Sequence, residues 1–297
     1  MAQKTLSLQL NDEESNLLEK ILVKKGWNED RINNEYVALR MKNDKGSVCT
    51  LYTSKKVVFQ GNEDFEDILE LVKKDDYVVN MESHIGVDEV GKGDYFGPLV
   101  VVACFVDSNF LKKVTSIGVG DSKKFSDSSI RNMYDQLKGY EYYYSSVVEP
   151  SEYNELNSKL KNVSLLLAKQ HSKVIEIGLE DLKEKGIECK KAVIDQFSSR
   201  KSRVVDELGP LAKSIEFEQF HKGESDIAVA TASVLARGIF LEEMEKMKDK
   251  YYFNFPKGAS NVISQAKEFV NKYGVSELEK VAKISFKTTK SVLQTTF

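Results

Sequence analysis

The first 75 residues combine helical and strand-like hydrophobic patterns. Residues 11–26 place apolar side chains at helical spacing, with acids in the first turn, lysines in the last turn and a glycine at the end, which predicts an amphipathic helix. Three runs follow in which apolar and polar positions alternate between turn residues: YVALRMK, SVCTLYT and KKVVFQG. Residues 62–74 repeat the helical pattern. Helix, antiparallel meander and helix together predict a small α+β domain.

Beyond this domain the pattern becomes that of an α/β protein. IGVDEVG is a short apolar strand interrupted by two acids, and GPLVVVACFV is a continuous apolar run, typical of a strand buried on both faces. Two further strands are predicted at YEYYYSSVVE and KKAVIDQF. Helices are predicted at residues 126–138, 151–185 and 225–250. We place the domain boundary at about residue 80, which gives domains at 1–80 and 81–297.

Composition agrees with a folded protein of this size. The chain has 297 residues, of which 41% are hydrophobic and 30% charged, so it has enough apolar side chains for a core and lacks the composition of a disordered chain. It contains no run of about 18 apolar residues, and its start lacks the basic-then-apolar order of a secretory signal. Cys49, Cys104 and Cys189 match no CxxC spacing. We therefore expect no membrane span, no cysteine zinc site, a cytoplasmic location and a monomer.

The net charge of −3, from 43 basic and 46 acidic residues, gives no overall basic field. Locally, residues 36–60 contain five basic residues against the single acid Asp44. The five are Arg40, Lys42, Lys45, Lys55 and Lys56. This run is a candidate surface for a polyanion, and the alternative is an ordinary solvated sheet face.

The strongest candidate chemistry is a set of acids at strand ends. Asp88 and Glu89 lie next to each other in IGVDEV, just before the turn Gly91-Lys92-Gly93, and Asp195 ends the apolar run AVID. Adjacent carboxylates in a buried strand cost free energy unless a cation neutralises them. Because ligands of open α/β sheets collect at the carboxyl ends of strands, these acids are expected to converge on a divalent ion.

A third acidic cluster, Gly223-Glu224-Ser225-Asp226, precedes the apolar helix IAVATASVLARGIF. Ser225 could cap that helix, and acids at a helix start are favourable without any function. A ligand set of oxygens alone, without histidine or cysteine, favours Mg²⁺ or Mn²⁺ over zinc. Carboxylates around such ions are the machinery of phosphodiester hydrolysis.

The segment GVDEVGKGDYFGPLVVVA (86–103) closely resembles the catalytic opening of the type 2 ribonucleases H, and within them ribonuclease HIII. Four further blocks resemble the same family in the same order: GVGDSKKFSD (118–127), YNELNSKLKNVSLLLAKQH (153–171), AVIDQF (192–197) and HKGESDIAVATASVLAR (221–237). The resemblance implies an α/β ribonuclease H-like catalytic domain with a mixed central sheet flanked by helices. It also implies a small N-terminal α+β domain that resembles half of a TATA-box-binding protein and grips the substrate.

By the resemblance, four acids bind Mg²⁺ or Mn²⁺ and carry the catalysis: Asp88, Glu89, Asp195 and Glu224. The stretch between Glu224 and the following helix is one residue shorter than the family pattern, which leaves Asp226 as an alternative fourth acid. Predicted substrate contacts are Gly91, Lys92, Gly93, Ser122, Lys123, Lys124, Asn157 and Asn162, with Arg40, Lys42, Lys55 and Lys56 in the N-terminal domain. His171 stays outside the predicted site, because a lone histidine on a helix is usually structural.

The activity that the resemblance implies is endonucleolytic cleavage of the RNA strand of RNA–DNA hybrids, leaving 3′-hydroxyl and 5′-phosphate ends. Ribonuclease HII is the nearest alternative, and it lacks the N-terminal domain. A non-catalytic hybrid-binding protein is the alternative of another class, although four converging carboxylates without a metal would repel one another. A dinucleotide-binding enzyme is disfavoured, since Gly91, Gly93 and Gly97 give GxGxxxG instead of GxGxxG.

Overall fold

A computed structural model of the chain describes residues 4–63, 82–195, 202–220 and 226–294, with positions 65, 67, 68, 72 and 223 between these ranges. The chain divides into two compact units, residues 1–81 and residues 82–297. In the described ranges, no helix is both long and apolar enough to cross a lipid bilayer.

The N-terminal unit is a five-stranded antiparallel sheet with one described helix. Its elements are β1 (Lys4–Gln9), α1 (Asp12–Lys24), β2 (Asn28–Glu29), β3 (Val37–Lys42), β4 (Val48–Tyr52) and β5 (Lys56–Gly61). The strand order is β1-β5-β4-β3-β2. The predicted first helix and three-stranded meander are present, while β1 and β2 were not predicted. The helix predicted at 62–74 lies largely outside the described residues.

Alternation along the strands separates an apolar and a polar face of this sheet. Met41, Cys49 and Phe59 point into the core, where they pack with Leu18 and Trp27. Neighbouring positions on β3 and β5 place Arg40, Lys42 and Lys56 on the opposite face. The helix α1 begins with a capping box, in which the side chains of Asn11 and Glu14 each accept the other's backbone N–H.

The larger unit has the predicted α/β architecture. Its strands are β6 (His84–Val90), β7 (Leu99–Val106), β8 (Tyr143–Val148), β9 (Lys191–Asp195) and β10 (Glu216–Phe220). Its helices are α2 (Ser108–Ile117), α3 (Asp127–Leu137), α4 (Pro150–Leu160), α5 (Val163–Glu184), α6 (Ser202–Glu207), α7 (Ile227–Tyr251), α8 (Ile263–Tyr273), α9 (Val275–Val281) and α10 (Lys287–Leu293). The strand order is β10-β9-β6-β7-β8. Because β9 pairs in parallel with both β6 and β10, while β6, β7 and β8 pair antiparallel, the sheet is mixed, as predicted.

Two long helices cover the two faces of this sheet. The apolar side of α5 packs against Ile85 and Val87 of β6 and against alternate residues of β7. On the other face α7 lies directly on β6 at Gly86, where an added Cβ would come within 2.1 Å of the backbone of Ala228 and Val229. Every residue of β7 is buried, which explains its continuous apolar run.

Two predicted helices differ in detail from the structure. The helix predicted at 151–185 is broken, because Lys161 takes a left-handed conformation (φ 49°) and Asn162 caps the next helix, α5. The helix predicted at 225–250 begins at Ile227, two residues later than predicted, because Asp226 is its N-cap. Both breaks depend on short polar residues that also occur inside helices, so periodicity alone does not reveal them.

Candidate active site

The carboxyl ends of β6 and β9 bring Asp88 and Asp195 to neighbouring positions. The two strands are parallel, with Val87 opposite Ile194, so the next residue on each strand is the acid. Residues opposite each other in adjacent strands point to the same face of a sheet. Because Gly86, two residues before Asp88, faces α7, the two carboxylates lie on the α7 side.

Asp88 is surrounded by negative charge and is held by hydrogen bonds. One carboxylate oxygen, Oδ1, accepts the backbone N–H of Glu89 at 2.8 Å, and a side-chain hydrogen bond joins Asp88 to Ser233 of α7. Burial raises the pKa of Asp88 to about 7, and the charges of Glu89 and Asp195 add to the effect. A bound cation would relieve this repulsion and ionise Asp88.

Glu89 points to the opposite face, where two nitrogen donors hold it. Its Oε1 accepts a hydrogen bond from Lys92 Nζ at 2.7 Å, and its Oε2 lies 3.0 Å from Nε2 of His171 on α5. Burial on its own would raise the pKa of Glu89, but these hydrogen bonds outweigh burial and lower it. The pKa of Asp88 is therefore raised and that of the adjacent Glu89 is lowered, a difference also found in many catalytic carboxylate pairs.

The turn after β6 packs closely against Pro98 and is hydrogen-bonded by Lys283. Gly91 has φ of 91°, and an added Cβ there would lie 2.1 Å from the carbonyl oxygen of Pro98. Lys283, fully buried and absent from the predicted site, donates from Nζ to the carbonyl oxygens of Asp94 at 3.1 Å and Gly97 at 2.5 Å. Burial lowers the pKa of Lys283 to about 7. Gly93 is open, since an added Cβ there would meet no atom within 4 Å.

The two candidates for the fourth acid lie just before α7. Glu224 and Ser225 lie outside the described residues. The residue before Glu224, Gly223, donates its backbone N–H to Oδ1 of Asp195 at 2.9 Å. Asp226, the alternative, accepts from the backbone N–H groups of Ala228 and Val229 with Oδ1.

His84, at the opposite end of β6 from Asp88, contacts the other oxygen of Asp226. Its Nε2 lies 2.8 Å from Oδ2 of Asp226, and its Nδ1 lies 2.7 Å from the carbonyl oxygen of Glu82. Because both ring nitrogens face oxygen acceptors, the structure favours the imidazolium form. Burial lowers the pKa of His84, but the hydrogen bond and charge of Asp226 outweigh it, so the pKa is raised above its usual value.

This raised pKa predicts a pH-dependent contribution to stability. A group whose pKa is higher in the folded state stabilises the fold below its unfolded pKa, and the contribution is lost as the pH rises through the folded value. We expect His84→Leu to lower the free energy of unfolding by about 1.5 to 3 kcal/mol at pH 6, the range for a hydrogen bond to a charged group. Urea unfolding of both proteins at pH 6 and pH 9 checks this. A difference that stays constant or grows toward pH 9 would contradict it.

The predicted contact loop 118–127 is joined to Asp88 through serine hydroxyls. Ser122 is buried, and its Oγ lies 2.7 Å from Oγ of Ser233, the serine that hydrogen-bonds Asp88. Lys123 and Lys124 are exposed beside it. The hydroxyl of Ser122 is thus bound within the protein, whereas the two lysines face solvent.

The other predicted contact residues either have protein partners or make no described hydrogen bond to the acids. Asn157 is half-buried on α4 and is not joined to the acids by any described hydrogen bond. Asn162 uses its side-chain oxygen to accept the backbone N–H of Leu165 at 3.1 Å. In the N-terminal unit, Arg40 pairs with Asp30 at 2.9 Å and Lys55 with Asp12 at 2.6 Å, so their charges are partly neutralised.

The residues fit a divalent cation bound by oxygens. Within the described ranges, no three His, Cys, Asp or Glu side chains converge closely enough to hold a metal ion by themselves. The described contribution is the adjacent pair Asp88 and Asp195, with Glu89 at the same strand end. Burial, with the negative charges of Glu89 and Asp195, raises the pKa of Asp88, and a hard cation would offset this cost of ionising the carboxyl.

Besides Lys283, two side chains that contact the acids were absent from the sequence prediction. His171 contacts Glu89, and Ser233 contacts both Asp88 and Ser122. A signal exists for His171, which interrupts the buried stripe of Leu167, Val174 and Ile175 on α5. A polar side chain within an apolar stripe needs a buried partner.

Comparison with known proteins gives consistent matches. The family model described as Ribonuclease HII matches residues 85–289. The Ribonuclease HIII of Protochlamydia amoebophila (strain UWE25) is 35% identical over 260 residues, covering 84% of each chain. That of Streptococcus agalactiae serotype III is 36% identical over 278 residues, covering 87% of this chain and 89% of the relative. The crystal structure of Bst-RNase HIII in complex with Mn²⁺ superposes with a TM-score of 0.68 at 27% identity and covers 98% of both chains.

Proposed function

The chain belongs to the ribonuclease HII family and matches ribonucleases HIII over most of its length, and from this premise we propose which residues cleave the RNA strand of RNA–DNA hybrids. The active site consists of Asp88, Glu89, Asp195 and Glu224 with Mg²⁺ or Mn²⁺. The observation that carries this proposal is the parallel register of β6 and β9, which supports a shared site for Asp88 and Asp195.

The side chains of the proposed active site have different roles according to where they lie. Asp88 and Asp195 supply negative charge on the α7 face, and Ser233 orients the Asp88 carboxylate. When bound, the divalent ions lower the pKa of a coordinated water and stabilise negative charge on the scissile phosphate. Lys92 and the open backbone at Gly93 line the turn beside these acids, where a sugar and phosphate can approach closely. The expected products are a 3′-hydroxyl and a 5′-phosphate.

Glu224 is the preferred fourth acid. Asp226 caps α7 and contacts His84, so both of its carboxylate oxygens already have protein partners. The hydrogen bond from Gly223 to Asp195 links the chain just before Glu224 to an acid of the site. We expect Glu224→Gln to abolish cleavage and Asp226→Asn to retain it, because asparagine caps helices as well as aspartate does. The opposite result would assign the fourth position to Asp226.

The exposed lysines 123 and 124 and the polar residues of α4 and α5 complete the proposed contact surface. Lys123 and Lys124 face solvent beside Ser122, where they would attract phosphates without regard to sequence. Ser122 would support the site indirectly, by its hydrogen bond to Ser233, and Asn162 would do so by capping α5. Asn157 remains a proposed contact on residue type and position in the chain.

Substrate choice tests the proposal. The same labelled RNA strand is offered as an RNA–DNA hybrid, as single strand and as RNA duplex, and a DNA duplex holding one ribonucleotide is added, each with Mg²⁺, Mn²⁺ or EDTA. We expect metal-dependent cleavage of the hybrid and weak cleavage at the lone ribonucleotide. Efficient cleavage at the lone ribonucleotide would indicate ribonuclease HII behaviour. Hybrid binding without cleavage under either metal would favour the hybrid-binding alternative.

We also propose that the polar sheet face of the N-terminal unit grips the hybrid. Lys42 and Lys56 are exposed on this face, and no described carboxylate lies within 4 Å of either ammonium group, which supports a role in binding phosphates. Arg40 and Lys55 keep their ion pairs with Asp30 and Asp12 and contribute less.

The double variant Lys42→Ala, Lys56→Ala checks this grip. Removing two phosphate contacts should weaken hybrid binding and lower the slope of log affinity against log salt by about 2. Anisotropy titrations in EDTA at several salt concentrations measure both. The control is Lys45→Ala: Lys45 belongs to the same basic run, but its ammonium group pairs with Glu63 at 2.8 Å, so its removal should change the salt slope by less. An unchanged salt slope in the double variant would contradict the grip.

We place the enzyme in a reducing compartment, the cytoplasm, and expect a monomer. All three cysteines carry free thiols, and two of them, Cys49 and Cys104, are buried, which supports a reducing environment. Size-exclusion chromatography with light scattering tests the oligomeric state, and a monomer should give a mass of 33.6 kDa.

A further inference from the structure

Glu89 is held from two sides by donors of very different exposure. His171 Nε2 lies 3.0 Å from Oε2, and the histidine side chain is 0% exposed. Lys92 Nζ lies 2.7 Å from Oε1, and the lysine side chain is 44% exposed. The Glu89 side chain itself is 5% exposed. One carboxylate oxygen of Glu89 is therefore hydrogen-bonded to a buried imidazole ring, and the other to a partly exposed ammonium group.

The donor and acceptor roles follow from the chemistry of the pair. Oε1 of Glu89 accepts a hydrogen bond from the ammonium group of Lys92, and a carboxylate paired in this way has two oxygens that only accept hydrogen bonds. Nε2 of His171 must therefore carry the hydrogen and donate it to Oε2. A charge-assisted hydrogen bond of this kind fixes both the distance and the orientation of the carboxylate.

The surroundings make His171 a rigid support. It lies in the middle of α5, on the face that packs against the sheet, between the buried residues Leu167 and Val174. Close packing on a helix restricts the ring to one orientation. Lys92, in contrast, follows Gly91 and has a flexible four-carbon stem with a partly exposed end, so its ammonium group can move away from Oε1 when another cation takes its place.

We propose that His171 is a positioning residue for Glu89, which it holds at Oε2 so that Oε1 is presented to the divalent ion in exchange for Lys92. This inference rests on the proposed function of Glu89 as a metal-binding acid. It goes further in assigning different tasks to the two carboxylate oxygens of Glu89.

Metal affinity is the property that this arrangement should control. Hydrogen-bond partners that orient metal-binding side chains typically contribute about 10- to 100-fold to metal affinity or activity. We expect His171→Leu to weaken Mn²⁺ binding in that range. Glutamine places a side-chain N–H near the position of a histidine Nε2, so His171→Gln should restore most of the affinity, whereas the shorter asparagine of His171→Asn should not.

The experiment is isothermal titration of the full-length protein with Mn²⁺ in the absence of nucleic acid, combined with thermal unfolding in EDTA. The matched control is Gln170→Leu, one residue earlier on α5, which removes a buried hydrogen bond from Ser146 Oγ at 2.8 Å without touching Glu89. It should lower stability and leave Mn²⁺ affinity unchanged. If His171→Leu does not fold, the comparison between the Gln and Asn variants still decides.

Glu89→Gln separates this inference from the proposed function. If Glu89→Gln retains full Mn²⁺ affinity, the assignment of Glu89 as a metal-binding acid fails, and the positioning role fails with it. If Glu89→Gln loses affinity while His171→Leu and His171→Asn bind Mn²⁺ like the wild type, only the positioning role is overturned. Equal weakening in the Gln170→Leu control would also overturn it, because the effect would then follow general loss of packing on α5.

Discussion

Replacing Asp88 with asparagine is expected to reduce hybrid cleavage by at least about 10³-fold, equivalent to roughly 4 kcal/mol of transition-state stabilisation. Asp88 lies at the end of β6 beside Asp195, and asparagine keeps its shape and its contacts with the Glu89 N–H and Ser233. Only the charge is removed. The cleavage rate under saturating hybrid and Mn²⁺ measures the loss.

The same variant should be more stable than the wild type without metal. Because burial and the charges of Glu89 and Asp195 raise the pKa of Asp88 above its unfolded value, ionising Asp88 destabilises the fold as pH rises through the interval between the two values. Asp88→Asn should therefore raise the unfolding temperature in EDTA at pH 8 and leave it nearly unchanged at pH 4. Hybrid binding in EDTA should persist. Retained cleavage, or a loss of binding equal to the loss of cleavage, would contradict the role assigned to Asp88.

Replacing Gly86 with alanine is expected to cause the largest loss of stability. An added Cβ would lie 2.1 Å from the backbone of both Ala228 and Val229, and backbone atoms of a helix cannot yield as a flexible side chain does. Separating α7 from β6 should lower the free energy of unfolding by about 3 to 5 kcal/mol. For a unit of this size that corresponds to a fall in melting temperature of roughly 6 to 20 °C.

Gly139→Ala is the matched control for this substitution. Gly139 belongs to the same unit, does not have a positive φ, and an added Cβ there would meet no atom within 4 Å. It should change the melting temperature by no more than about 2 °C. Equal melting temperatures for the two variants would show that α7 does not lie on β6 as described. Any folded Gly86→Ala protein should also lose cleavage, because displacing α7 moves Ser233 away from Asp88.

Much of the fold is readable from the sequence because its patterns are local. The alternation around Met41 predicts which face of β3 is buried, and the unbroken apolar run at 99–106 predicts a strand covered on both sides. Strand ends marked by Asp88 and Asp195 predict acids at one edge of the sheet, although only the register of β6 with β9 makes them neighbours. That register depends on residues 107 positions apart and has no local signal.

The supporting residues could not be predicted for the same reason. Lys283 binds the loop after β6 from almost 190 positions away, and its sequence neighbourhood resembles any short helical linker. His171 contacts Glu89 only because α5 packs across β6. Asp226 and Ser225 are equally good caps in sequence, so the role of Asp226 as the cap of α7 becomes known only from the structure. The ion pairs of the N-terminal unit also had no local signal, since Asp30 and Asp12 pair with Arg40 and Lys55, which are distant from them in sequence.

The most direct test of the account is a crystal structure of the full chain with Mn²⁺, in which anomalous scattering locates the metal without reference to the protein atoms. We expect Mn²⁺ within coordinating distance of Asp88, Glu89, Asp195 and Glu224, with His171 still bonded to Oε2 of Glu89 and Asp226 still capping α7. Manganese bound elsewhere, or bound by Asp226 while Asp88 and Asp195 make no contact with it, would contradict the proposed active site.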